Sequence, residues 1–189
     1  SLDNLLHPSL DEKAEMNIIA NGLPASPGAS SGKVVFSSDE AERLNSMMQD
    51  TILVRVETSP EDINGMHAAK GILTSRGGMT SHAAVVARGM GRPCVSGSSE
   101  IEIDYNKKIF KVNNKIVKEG EIITIDGSSG RVILGEVKTI KPNVSGDFLT
   151  VMKWADKYRK LKIRTNSETP SDTKTCLLYT SDAADDKQC

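Results

Sequence analysis

The hydrophobic period changes at Ile109, and that change narrows the folds open to this chain. Downstream of it, apolar and polar residues alternate. "KIFKVNNKIV" breaks at Asn113-Asn114 and "EIITIDGSSGRVILG" breaks between Asp126 and Gly130, so each reads as a β-hairpin. Upstream, short β-branched runs are interleaved with capped helical stretches. "KVVF", after Gly32, predicts a strand. Ser37 or Ser38 caps the helix "DEAERLNSMM", with Asp39 and Glu40 at its positive end. "TILVRV" (51–56) is a second strand, and "TSPEDINGMHAA" places Ser59 at a cap and Pro60 at the first helical position. "GILTS" (71–75) and "CVSG" are strands again, while "LPASPGASSG" (23–32) reads as loop. Short elements of both kinds over 23–141 predict an α/β chain whose main domain is a compact α+β or β/β/α unit.

Residues 1–22 read as a linker with a short helical turn at 11–16. Past the connection "KPNVSGD", the segment "FLTVMKWADKYRK" has helical periodicity, with Leu149, Met152, Trp154 and Ala155 as its expected buried face. "LKIRTN" then reads as a strand that opens a second domain. The chain lacks an initiator methionine and reads as a piece of something longer.

Charge and cysteine usage exclude several function classes. Lys plus Arg number 24 against 25 Asp plus Glu, so no global field draws the chain to nucleic acid or anionic lipid. No run of 18 apolar residues exists, so no membrane partner is expected. The acidic start, "SLDNLLHPSLDEKAE", excludes a secretory signal. Cys94, Cys176 and Cys189 lack paired spacing, so neither a zinc site nor a disulfide framework is expected, and a cytoplasmic location is the default.

The chemistry concentrates in "RGGMTSHAAVVARGMGRPC" (76–94). If the helix starts near Thr80 or Ser81, His82 falls in its first turn, where backbone N–H groups are unpaired and the macrodipole is positive. Such a helix start receives phosphate. Gly77 and Gly78 bring bare backbone close and permit positive φ, and Thr80 and Ser81 add hydroxyls. Neutral imidazole is a nucleophile near pH 7, so the arrangement suits a histidine that carries a phosphoryl group. The plainer alternative is a capped helix whose histidine only hydrogen-bonds a neighbouring carbonyl. A Ser81–His82 hydrolase fares worse, because adjacent helical residues do not face each other. Among the other candidates, His67 reads as packing and His7 as a linker residue. Arg76 and Arg88 could touch phosphate, although Arg88 lies almost two turns from His82. Cys94 reads as a buried thiol, Asp104 and Asp126 as turn carboxylates, and the cations of 153–164 as a solvated helical face. No clustered set for a metal is visible.

The stretch "GGMTSHAAVVARGMGRPCVSG" (77–97) resembles the phosphohistidine motif of the PEP-utilising enzymes. Met79 matches its dikinase members, where phosphoenolpyruvate synthase and enzyme I of the sugar phosphotransferase system usually carry arginine. "LPASPGAS", "LVRVETSPEDINGMHAAKGILTSRGG" and "IDGSSG" extend the resemblance, which runs from Asn4 to about Thr175. It implies that His82 is the tele-phosphohistidine intermediate of ATP + phosphate + pyruvate to AMP + pyrophosphate + phosphoenolpyruvate, with Mg2+ held by other domains. It also implies a swivelling β/β/α domain (23–141), a linker from an ATP-grasp domain (1–22), and a connecting helix with the first strand of a TIM barrel, ending at Arg164 (142–175). A homodimer is expected of the full-length protein. Thr80 matches the threonine phosphorylated in plant members. Synthase or enzyme I-type phosphocarrier activity is the alternative. The ending "CLLYTSDAADDKQC" (176–189) departs from the family pattern and reads as a non-native tail.

Overall fold

The computed structural model describes residues 7–140 and 146–160. Strands β1 (Ser9–Leu10), β2 (Asn17–Asn21) and β3 (Leu23–Ser26) precede the long strand β4 (Ala29–Val35). Helix α1 (Ser38–Ser46) starts on Ser37, whose hydroxyl accepts the Glu40 N–H at 3.3 Å. Strand β5 (Thr51–Arg55) leads through a 3-10 turn at Pro60–Asp62 into α2 (Ile63–Ala68). Then come β6 (Gly71–Thr74), α3 (His82–Gly89) and β7 (Cys94–Ser96). β8 (Ile101–Asp104), β9 (Ile109–Val112), β10 (Lys115–Lys118), β11 (Ile122–Asp126), β12 (Arg131–Leu134) and β13 (Thr139–Ile140) follow, and α4 covers Gly146–Tyr158.

Eight strands form one sheet in the order β2-β12-β11-β4-β5-β6-β7-β3. β4 to β7 are parallel, because α1, α2 and α3 return the chain between them; the flanking strands are antiparallel. β10, β9 and β8 make a second, antiparallel sheet. The parallel strands are buried on both faces and so read as continuous apolar runs. Ile52, Val54, Leu73 and Val95 face a core shared with Phe110, Val112 and Val117 of the small sheet. Their neighbours Leu53, Ile72 and Cys94 pack with Ala41, Leu44, Met66, Ala84 and Ala87 of the helices. The order of layers is therefore small sheet, large sheet, helices. The α/β class and both hairpins expected from the sequence are present, the first turning at Asn113 with φ 52°.

The amino-terminal expectations need correction. Residues 7–21 are no linker: β1 pairs with β13 and β2 with β12. Residues 11–16 turn without forming a helix. There Glu12 meets the Arg131 guanidinium at 2.6 Å, a contact that holds its carboxyl below the usual carboxylate range. His7 is buried, close against Gly28. "LPASPGASSG" is not loop either, since it supplies β3 and the start of β4. Proline is tolerated in β3 because that strand lies at the sheet edge. Small residues suit β4 because a Cβ on Gly32 would come within 2.8 Å of the Thr51 backbone. Composition alone disguised both strands.

The chain divides into two units, Ser1–Pro142 and Asn143–Cys189. In the second, α4 forms as expected, but Trp154 is 63% exposed and Ala155 is also exposed, so the expected buried face is not buried there. Met152 is half-buried. The expected strand "LKIRTN" with Arg164, the side chain of Leu149 and the tail 176–189 lie outside the described residues.

Candidate active site

The carboxyl ends of β5, β6 and β7 open along one edge of the sheet, where parallel α/β folds place their ligands. Three loops meet there. The Arg76 N–H donates to the Val56 carbonyl at 2.9 Å, joining the loop after β6 to the loop after β5. The Ser98 N–H donates to the Thr74 carbonyl at 2.9 Å, joining in the loop after β7. Gly77 has φ 112°, and a Cβ there would sit 3.0 Å from the hydroxyl oxygens of Ser81 and Ser96. Gly97, at φ 66°, packs so closely that its Cβ would stand 2.4 Å from the Gly77 carbonyl. Gly78 meets no such crowding and has no positive φ. Of the glycine pair, only Gly77 is required by backbone geometry.

The loop closes with the Ser81 N–H on the Gly78 carbonyl at 3.1 Å, and α3 begins. Ser81 is the cap: its backbone is extended and its hydroxyl accepts the Ala84 N–H at 3.4 Å. Thr80 stands one residue outside the helix, exposed, and is therefore not the cap. Behind Ser81 lies a chain of hydroxyls, with Ser96 Oγ 3.3 Å away and Thr74 Oγ1 donating to Ser96 at 3.1 Å. Thr74 and Ser96 are fully buried. Sequence reasoning missed both, although a hydroxyl ending each of two apolar strands was a usable signal.

His82 is the first residue of α3, with its ring half-buried. Its Nδ1 lies 2.9 Å from the hydroxyl of Thr58, a buried residue of the loop after β5. That loop is well braced. Asp62, buried, accepts the Ser59 N–H at 2.9 Å and the Ser38 hydroxyl at 3.1 Å, and it faces Arg55 Nε at 3.4 Å. The Val56 N–H donates to the Tyr105 hydroxyl at 2.8 Å. With its proton on Nδ1, the ring donates to Thr58 and leaves the Nε2 lone pair open; the partner of one ring nitrogen sets the tautomer of the other. The first N–H groups of α3 have no intrahelical acceptor and mark its positive end. Nothing in the sequence around Thr58 singled it out. Thr58→Val, nearly isosteric, should reduce the reactivity of Nε2 about tenfold, the equivalent of one lost hydrogen bond. Nitrogen NMR of the His82 tautomer, together with its rate of chemical phosphorylation, would measure the change.

Most of the remaining candidates fall away from this point or are otherwise engaged. Arg88 donates from Nε to the Ala84 carbonyl at 3.1 Å and from Nη2 to the Met79 carbonyl, so it braces the loop. Arg76 is exposed. His67 is exposed and offers its carbonyl to Arg92. Cys94 is fully buried, and burial pushes its thiol up to about 12. Asp104 accepts the Lys107 N–H at 3.1 Å. Asp126 accepts from Ser128, Ser129 and Arg131 within the hairpin turn. Among the described residues, no three His, Cys, Asp or Glu are grouped to hold a metal, and no helix is long and apolar enough to cross a membrane.

This three-layer α/β domain presents a histidine on a helix start, at the carboxyl edge of parallel strands. Residues 47–130 match the family model of the PEP-utilising enzyme, mobile domain. It is 58% identical over 179 residues to pyruvate, phosphate dikinase of Rhizobium meliloti, covering 95% of this chain and 20% of that protein. Against the protein of that name from Clostridium symbiosum the identity is 55%, over 92% of this chain and 20% of the relative. The chloroplastic pyruvate, phosphate dikinase of Flaveria pringlei is 50% identical, over 92% of this chain and 18% of its own length. The chain thus spans about a fifth of the length of these relatives.

Proposed function

We propose that this chain is the phosphocarrier part of a pyruvate, phosphate dikinase, with Nε2 of His82 as the carrying atom. The observation that carries the proposal is the 2.9 Å contact between His82 Nδ1 and Thr58; with the proton on Nδ1, it leaves the Nε2 lone pair as the nucleophile. In the reaction proposed for the whole protein, Nε2 attacks the β-phosphorus of ATP and AMP leaves. Inorganic phosphate then removes the outer phosphoryl group as pyrophosphate, and the phosphoryl left on Nε2 passes to the enol oxygen of pyruvate. Gly77 shapes the approach, Ser81 caps the helix, and the unpaired amides at the start of α3 face the dianion. Gly78 and Thr80 lie along the same loop, and a phosphate on Thr80 would repel the incoming group. In this reading the magnesium that offsets phosphate charge is held by other domains of a longer, cytoplasmic protein, in which this domain swivels between two sites.

The full-length protein, given phosphoenolpyruvate labelled in its phosphoryl group, should carry acid-labile, alkali-stable label on His82 as the Nε2 adduct. Release of pyrophosphate, dependent on inorganic phosphate, should accompany the ATP half-reaction. Label confined to another residue would overturn the proposal. Turnover with water in place of phosphate would turn it toward a synthase.

A further inference from the structure

A phosphoryl group on an imidazole brings about two negative charges to a half-buried ring, and the amides of α3 supply only partial positive charge. A full cation is the natural complement, and a guanidinium is the best matched. Four arginines come from the elements around the site, and three are engaged. Arg88 donates to the carbonyls of Ala84 and Met79. Arg55 donates to the Phe36 carbonyl at 3.0 Å, faces Asp62, and stacks 5.2 Å from the Tyr105 ring centre. Arg92 donates to the His67 carbonyl at 2.9 Å. Arg76 differs: its side chain is exposed and makes no hydrogen bond, ion pair or ring contact among the described residues.

The backbone places Arg76 near the reacting nitrogen. Its N–H is bonded to the Val56 carbonyl, and Thr58, two residues further along that strand end, touches the His82 ring. Val56 and Thr58 are no more than about 7 Å apart along the chain, a span within reach of an arginine stem. Gly77, the next residue, is held at φ 112° against Ser81 and Ser96 and so fixes the backbone on the far side of Arg76. The guanidinium is thus mounted on a fixed backbone and has no side-chain partner among the described residues. We infer that Arg76 is a catalytic residue that grips the phosphoryl group on His82 and is released when that group departs. The inference rests on the proposed carrier role of His82 and adds to it the group that holds the cargo.

Phosphoramidate tests it on this chain directly, because the reagent transfers its phosphoryl group to imidazole nitrogen with loss of ammonia. The His82 adduct is the phosphorus NMR signal that disappears in His82→Ala. In the wild-type chain, a cation beside the phosphoryl should hold its second ionisation low. Arg76→Ala should raise that ionisation by about one pH unit and speed loss of the phosphoryl several-fold; Arg76→Lys should recover part of both. Unchanged circular dichroism would show that the exposed substitution leaves the fold intact. An unaltered phosphorus titration in Arg76→Ala, with His82 still loaded, would overturn the arginine assignment and spare the carrier. Failure of His82 to load in the wild type would overturn both.

Discussion

Replacing His82 with alanine in the full-length protein should remove net interconversion of pyruvate and phosphoenolpyruvate, a loss on the order of 10⁴ or more, the scale on which covalent nucleophiles act. The physical reason is that, among the described residues, the other side chains packed around the ring are already engaged. The hydroxyls of Ser81, Ser96 and Thr74 bond to one another and to the helix cap, and Thr58 is engaged with the ring itself. His67 lies outside the site with its own carbonyl bonded to Arg92. Both half-reactions should fail together, since each is proposed to pass through the same nitrogen. Coupled assays of pyruvate formation and of the ATP half-reaction check this. Retention of either half-reaction at more than a few per cent of wild type would mean that the phosphoryl group travels by another route.

Phe110→Ala should cost about 3–5 kcal/mol of stability, the usual range for deleting a buried aromatic side chain. Phe110 is fully buried on β9 and is the largest such side chain in the domain. It packs with Val54, Leu73 and Val95, so its loss hollows the space between the two sheets. The melting temperature should fall by roughly 10 °C or more, as differential scanning calorimetry would read. Chemical phosphorylation of His82 well below that temperature should be nearly unchanged. α3 packs through Ala83, Ala84 and Ala87 on the opposite face of the large sheet, in a separate core. A small stability loss would mean that the small sheet contributes little to holding the domain together.

Thr58 and Ser81 show why parts of the site were legible and others were not. The cap of α3 could be placed within one residue from sequence, because a hydroxyl before an apolar helix satisfies amides only three positions away. His82 followed from that placement. Thr58, 24 residues earlier, reaches the ring only because β5 and β6 are parallel neighbours whose following loops converge. The hidden strands β3 and β4 have a related cause. Their small and polar residues are chosen by close backbone approach, as at Gly32 against Thr51, and hydropathy does not record that.

The sequence by itself determined the strands and helices from 32 to 134 except β8, the two hairpins, and the placing of one histidine on a helix start. Capping, turn chemistry and hydrophobic period act over a few residues and can be read along the chain. Only the tertiary structure decided that residues 7–26 belong to the sheets, that Thr58 occupies Nδ1, and that Arg88 is spent on carbonyls while Arg76 is not. Each of these depends on which strand lies beside which, and burial of both faces of the parallel sheet selects that arrangement from residues far apart in the chain.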